Sequence, residues 1–118
     1  MNIETYREYC ISKKGATEGF PFPSLPDVLV FKVAGKMFSA TNIAAFSSIS
    51  IKCDPESVDE MRANYPAVMK PVYFSERHWS SVLMDHSISD KLIFEWLDTS
   101  YDLTVAKLTK KIRAELGL

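Results

Sequence analysis

The stretch "VLVFKVAGKMFSATNI", residues 28–43, leaves the chain little freedom. Two runs of β-branched and aromatic residues flank Ala34-Gly35, where Gly35 tolerates a positive φ. A connection this short joins antiparallel neighbours, because a parallel pair needs a crossover of about a dozen residues or more. "SSISIKCD" follows with strict alternation, which places Ile49, Ile51 and Cys53 on a core face and Ser48, Ser50 and Lys52 outside.

Helical spacing appears on either side of this block. Asn2 is placed to cap a helix over 3–12, with Ile3, Tyr6 and Cys10 on one face. "SKKGATEGFPFPSLPD" then breaks the period and leaves room for a short edge strand only, since proline cannot donate to a ladder. Asp54, Pro55 and Glu56 are start signals for a helix over 55–64, which Pro66 ends and whose buried stripe is Val58, Met61 and Tyr65. "AVMKPVYF" (67–74) and "WSSVLMD" (79–85) read as two more strands around the turn "SERH". Ser87 with Asp90 resembles a capping box opening a helix over 88–101, with Leu92, Ile93, Trp96, Leu97 and Ser100 on one face. Thr109 can cap a further tail helix. Strands and helices do not alternate as a parallel sheet requires, so an α+β chain is expected, with an antiparallel sheet and helices on one face.

With 118 residues, 47% hydrophobic and 25% charged, the chain can bury a core as one domain, 1–118. Its two cysteines lie in apolar patterns without a C-x-x-C, as buried thiols in a reducing compartment do. There is no signal-peptide pattern at the N-terminus and no apolar run long enough to span a bilayer, so a soluble, cytoplasmic protein is expected, with no membrane partner.

The segments "FPF", "VFKVAGKMF", "IKCDPE", "YPAV", "HWSSV" and "SYDLTVAKLTKKIR" occur in an order that resembles the MmcQ/YjbR family of small bacterial proteins, over nearly the whole chain. The resemblance implies a two-layer α/β sandwich (α-β3-α-β2-α), similar to type III secretion chaperones and to frataxin-like, or CyaY-like, folds. It also implies DNA binding by a double-wing arrangement of loops beside the sheet, although a shared fold does not carry function by itself.

The charge pattern gives that implication physical content. Residues 1–53 carry six Lys/Arg against four Asp/Glu, residues 54–100 four against nine, and residues 101–118 four against two. Basic charge gathers at the two ends, so a net charge of -1 conceals a positive patch if Lys13 and Lys14 meet the tail in space. In the tail, Lys107, Lys110, Lys111 and Arg113 spread over an arc of roughly 160°, opposite Leu108, Ile112 and Leu116. A docked helix with a solvated face explains this pattern on stability alone, and cations favour a helix C-terminus. Four cations are nonetheless enough to neutralise several phosphates. Arg77, His78 and Trp79 form a second candidate contact, with the indole free to stack on a base, although a tryptophan at a strand start more often packs in a core.

Catalytic signals are weak. His78 and His86 lack metal-ligand spacing, Cys53 alternates onto the core face, and no glycine-rich phosphate loop is present. Asp54, Glu56, Asp59 and Glu60 form an acidic ridge, but acids at a helix start are favourable without a metal. The expectation is a monomeric, non-enzymatic protein without metal or cofactor, binding double-stranded DNA weakly and salt-sensitively through phosphate contacts. The alternative is a chaperone-like module that takes a protein partner on the sheet face or edge.

Overall fold

The computed structural model describes residues 1–72 and 74–118. Its elements are α1 (Ile3–Ile11), β1 (Ala16–Gly19), β2 (Val28–Val33), β3 (Lys36–Asn42), β4 (Ser48–Lys52), α2 (Val58–Asn64), β5 (Val68–Met69), β6 (Trp79–Leu83), α3 (Asp90–Ala106) and α4 (Lys110–Leu116). The six strands form one sheet in the order β1-β2-β3-β4-β6-β5, and every pair is antiparallel. The proline-rich segment contributes β1 at one edge.

The central hairpin turns at Ala34 and Gly35, both at positive φ (49° and 77°), the pairing a two-residue turn needs to follow the twist of its strands. Beyond it, β2 and β3 shift register: Phe31 faces Ser39 but Lys32 faces Met37, so Phe38 is an extra residue. Strict alternation would place Phe38 and Ser39 on opposite faces. The bulge turns both toward the helices, where both are fully buried.

On that face, α1 and α3 bring Tyr6, Cys10, Ile93, Leu97 and Tyr101 against Phe31, Val33, Phe38, Ile49, Ile51 and Val82. Ile49, Ile51 and Cys53 are buried as their alternation predicts. Trp96 is half-buried and packs edge-on against Tyr65 beyond α2, at 5.1 Å between ring centroids. The opposite face is not bare: Val28, Val30 and Ala40 are covered by Phe22 and Leu25 from one loop and Phe74 from another.

Several boundaries differ from those expected. The cap of α3 is Ser89, which accepts from the Leu92 amide at 3.2 Å, while Ser87 donates to Asp85. Capping at Ser89 lets Ile88, just before the cap, join Ile93 in the core, a hydrophobic staple that a cap at Ser87 would forfeit. Asp54 accepts from the Glu56 amide in a turn, and α2 proper begins only at Val58. Of the strand expected over 67–74 only Val68–Met69 pairs, and Tyr73 lies outside the described residues.

The Ser100 hydroxyl fixes α3 to the sheet. Past Ile51 the β3–β4 ladder ends. There the Ser100 hydroxyl accepts from the Lys52 amide at 2.8 Å and donates to the Phe38 carbonyl. One turn on, the Thr104 hydroxyl donates to the Ser100 carbonyl of its own helix at 2.9 Å, with the Met37 carbonyl 3.5 Å away. Ser100 on the buried helix face thus bonds backbone of β3 and β4 where their ladder ends.

Candidate nucleic-acid interface

The two basic ends of the chain meet. Thr109 caps α4 by accepting from the Ile112 amide at 3.2 Å, and Gly117 closes it at φ 71°. The Leu118 amide reaches back to the Arg113 carbonyl and the Gly117 amide to the Ala114 carbonyl, a Schellman ending. Lys14 Nζ donates to the Gly117 carbonyl at 2.9 Å. A Cβ at Gly117 would lie 2.8 Å from that ammonium, which the flexible lysine can move aside, so it is the positive φ that favours glycine there. From the other side the Tyr101 hydroxyl donates to the Lys14 carbonyl at 2.5 Å. Leu108 is buried and Ile112 and Leu116 pack against the core, so the apolar side of the tail is docked. Lys107, Lys110 and Lys111 are exposed and Arg113 is half-buried.

Lys13, next to Lys14, does not share that surface. It forms an ion pair with Asp98, and its ammonium lies 4.9 Å from the Tyr9 ring centroid and 5.6 Å from that of Tyr101. The Tyr9 hydroxyl also donates to Asp98, at 2.5 Å, while its ring stacks on Phe94. Burial opposes ionisation of Asp98, but the hydrogen bonds from Lys13 and Tyr9 outweigh it and hold the carboxyl below its usual range. Such a group stabilises the fold above its unfolded pKa of about 4, and the contribution is lost as pH falls through the lower folded value. The difference in urea midpoint between wild type and Asp98→Asn is therefore expected to be present at pH 7 and to close below about pH 4. A difference constant with pH would show that the ion pair contributes nothing.

The turn before β6 also divides its candidates. Arg77 and His78 are exposed, whereas Trp79 is 6% exposed and stacks on Phe74 at 4.5 Å between centroids, so its indole offers no free face for a base. Lys52, its cross-strand partner on β4, holds its ammonium 5.7 Å from the indole centroid. Burial first, then the charges of Lys107 and Lys36, push the Lys52 ammonium below the usual lysine range. Lys36 and Lys52 do not stand out in the sequence. The only hint is that Lys52 falls on the outward positions of β4, and proximity to Lys107 depends on where α3 ends.

The thiols are quiet. Burial pushes Cys10 up to about 12 and raises Cys53 as well, so neither holds an appreciable thiolate fraction at neutral pH. Among the described residues no cluster of three His, Cys, Asp or Glu side chains could hold a metal ion, and no helix is long and apolar enough to cross a membrane.

The YjbR family model matches residues 11–103. The chain is 26% identical over 114 residues to the uncharacterized protein YjbR of Escherichia coli K12, covering 96% of this chain and 95% of that protein. It is 29% identical over 91 residues to the uncharacterized protein YbdF of Escherichia coli O157:H7, covering 76% and 75%. The crystal structure of Deinococcus radiodurans protein DR2400 superposes with a TM-score of 0.92 at 32% identity, over 99% of this chain and 88% of that one. A Pseudomonas syringae crystal structure shares the fold, at a TM-score of 0.76 and 24% identity over 88% of this chain and 99% of that one. The sheet, the helices laid on one face of it and the matched sequence agree: the chain belongs to the YjbR family.

Proposed function

We propose that this protein binds duplex DNA without catalysing a reaction on it, through phosphate contacts from Lys14, Lys107, Lys110, Lys111 and Arg113, with Arg77 and His78 as a second contact. The observation that carries the reading is the Lys14–Gly117 hydrogen bond, which joins the basic N-terminal segment to the basic tail. Among the described residues none of these cations forms an ion pair; the ion pairs present join Asp90, Glu18, Asp98 and Glu76 to Met1, Arg7, Lys13 and Lys70. A surface of unpaired lysines with no side chains poised to read base edges favours binding that is weak, sequence-tolerant and strongly salt-dependent.

Replacing Lys110, Lys111 and Arg113 together by Ala tests it. Duplex affinity is expected to fall for every sequence tried, and log affinity against log salt to flatten by roughly 0.9 for each phosphate the variant no longer neutralises. Loss of Lys110 and Lys111, which are solvated, is expected to change stability by about 0.5 kcal/mol or less. Any larger fall in melting temperature belongs to the half-buried Arg113, and Lys110→Ala/Lys111→Ala alone is the variant expected to keep it. Unchanged DNA affinity in a folded triple variant would remove the tail from the interface.

A protein partner is the second reading. An apolar hollow lined by Ile3, Leu29, Phe20 and Ile43 favours it, with Phe20 52% exposed and Ile43 39%.

A further inference from the structure

β1 is the outermost strand at its end of the sheet and pairs with β2 alone. The Ala16 amide goes to the Lys13 carbonyl and not to β2. Backbone groups alternate sides along a strand, so Thr17 and Gly19 make the ladder bonds, and the Glu18 amide and carbonyl point out of the sheet. Among the described residues no backbone group outside the ladder reaches them.

This open edge lies between two hollows, one on each face of the sheet. On the helix side a hollow of about 700 Å³ is floored by Ile3, Leu29, Phe20 and Ile43. On the loop side one of about 300 Å³ is lined by Thr17, Val30 and Lys32. Glu18, Gly19 and Phe20 border both. A Cβ at Gly19 would meet nothing within 4 Å, and no positive φ calls for glycine there. The fold thus gives no reason for a missing side chain at this place, whereas glycine in a strand often marks the close approach of another backbone.

A strand laid along β1 sends its side chains alternately to the two faces, and here each face offers a hollow to receive them. Their chemistry differs. On the helix side the floor is apolar and the Glu18 carboxylate is engaged by Arg7. On the loop side Lys32 has no ion-pair partner among the described residues, so an acid is favoured beside it. A second copy of the chain fits poorly, because two β1 strands paired about Glu18 would set like charges opposite each other.

We propose that β1 takes a short extended segment of another protein as an added strand, with apolar side chains on the helix side and acidic ones facing Lys32. In this it rests on the protein-partner reading given above for the hollow.

Anisotropy of the labelled peptide acetyl-Thr-Val-Asp-Leu-Asp-Val-Thr-amide is expected to rise saturably with the full chain, and hydrogen exchange of the Glu18 amide to slow on binding. Glu18→Ala removes the contact with Arg7 but keeps the outward donor. Glu18→Pro deletes that donor and spares the ladder, whose bonds come from Thr17 and Gly19. It is expected to bind at least about tenfold more weakly than Glu18→Ala. The same peptide N-methylated at its apolar residues is expected not to bind, a comparison made on the unaltered protein. Lys32→Gln is expected to remove the preference for Asp over Asn in the peptide. If the N-methylated peptide binds as well as the parent, strand addition is overturned and the protein-partner reading stands, the hollow taking side chains alone. If neither binds, both fall. A dimer in sedimentation that Glu18→Pro dissolves would give the edge to a second copy and overturn the foreign strand.

Discussion

Phe38→Ala is expected to destabilise the protein by roughly 3–5 kcal/mol, the range for truncating a fully buried aromatic side chain. For a domain of this size that corresponds to a fall in melting temperature of roughly 10–20 °C. The ring is completely buried, lies 6.3 Å from Phe31 and meets Tyr101 of α3 edge-on at 5.4 Å. Truncation thus leaves a cavity between sheet and helix and removes two aromatic pairings together. The prediction also tests the bulge. With uninterrupted alternation Phe38 would point to the loop-covered face, where Met37 packs, away from Tyr101. A destabilisation below about 1 kcal/mol would match that other register, since partly exposed substitutions typically have small effects. Met37→Ala, on the half-buried opposite side, is expected to be the milder of the two.

Ser100→Ala is expected to destabilise the protein by about 2–3 kcal/mol, far more than removal of one exposed hydroxyl, because two buried backbone groups are left without their partner at once. The Lys52 amide and the Phe38 carbonyl both depend on Ser100 Oγ, and the side chain is fully buried. Hydrogen exchange gives a local readout: the Lys52 amide should exchange faster in the variant, while the Ala40–Ser50 and Thr41–Ile49 neighbours in the ladder keep their protection. Thr99→Ala, one residue away on the exposed side of α3, provides the control. A stable Ser100→Ala variant with a protected Lys52 amide would mean that the strands close on each other without the helix.

Much of this architecture is legible along the chain because it is a matter of local chemistry. Gly35 can take the positive φ of a tight turn, and β-branched runs on both sides of it leave an antiparallel hairpin as the economical outcome. The Ile49-Ile51-Cys53 alternation finds its face, Asn2 accepts from the Thr5 amide at 2.8 Å, and Thr109 caps the tail as its position predicts. These features depend on neighbours within a few residues, which a sequence displays directly. The opposition of cations and leucines in the tail is of the same kind: it identifies a docked amphipathic helix whatever the helix docks against.

The remaining features depend on residues far apart. The bulge at Phe38 leaves no mark in the composition of β3, yet it turns two consecutive side chains inward, and the Ser100 hydroxyl bonds the Phe38 carbonyl there. Whether a cation is available to a ligand is equally non-local. Lys13 and Lys14 are adjacent, but Asp98, 85 positions on, draws one into an ion pair, while the other reaches the carbonyl of Gly117. Trp79 beside two basic residues resembles a stacking platform until Phe74 covers its ring. The meeting of Lys14 with Gly117 is of this kind too, since which charges become neighbours depends on folded distance, which the linear order of charges does not contain.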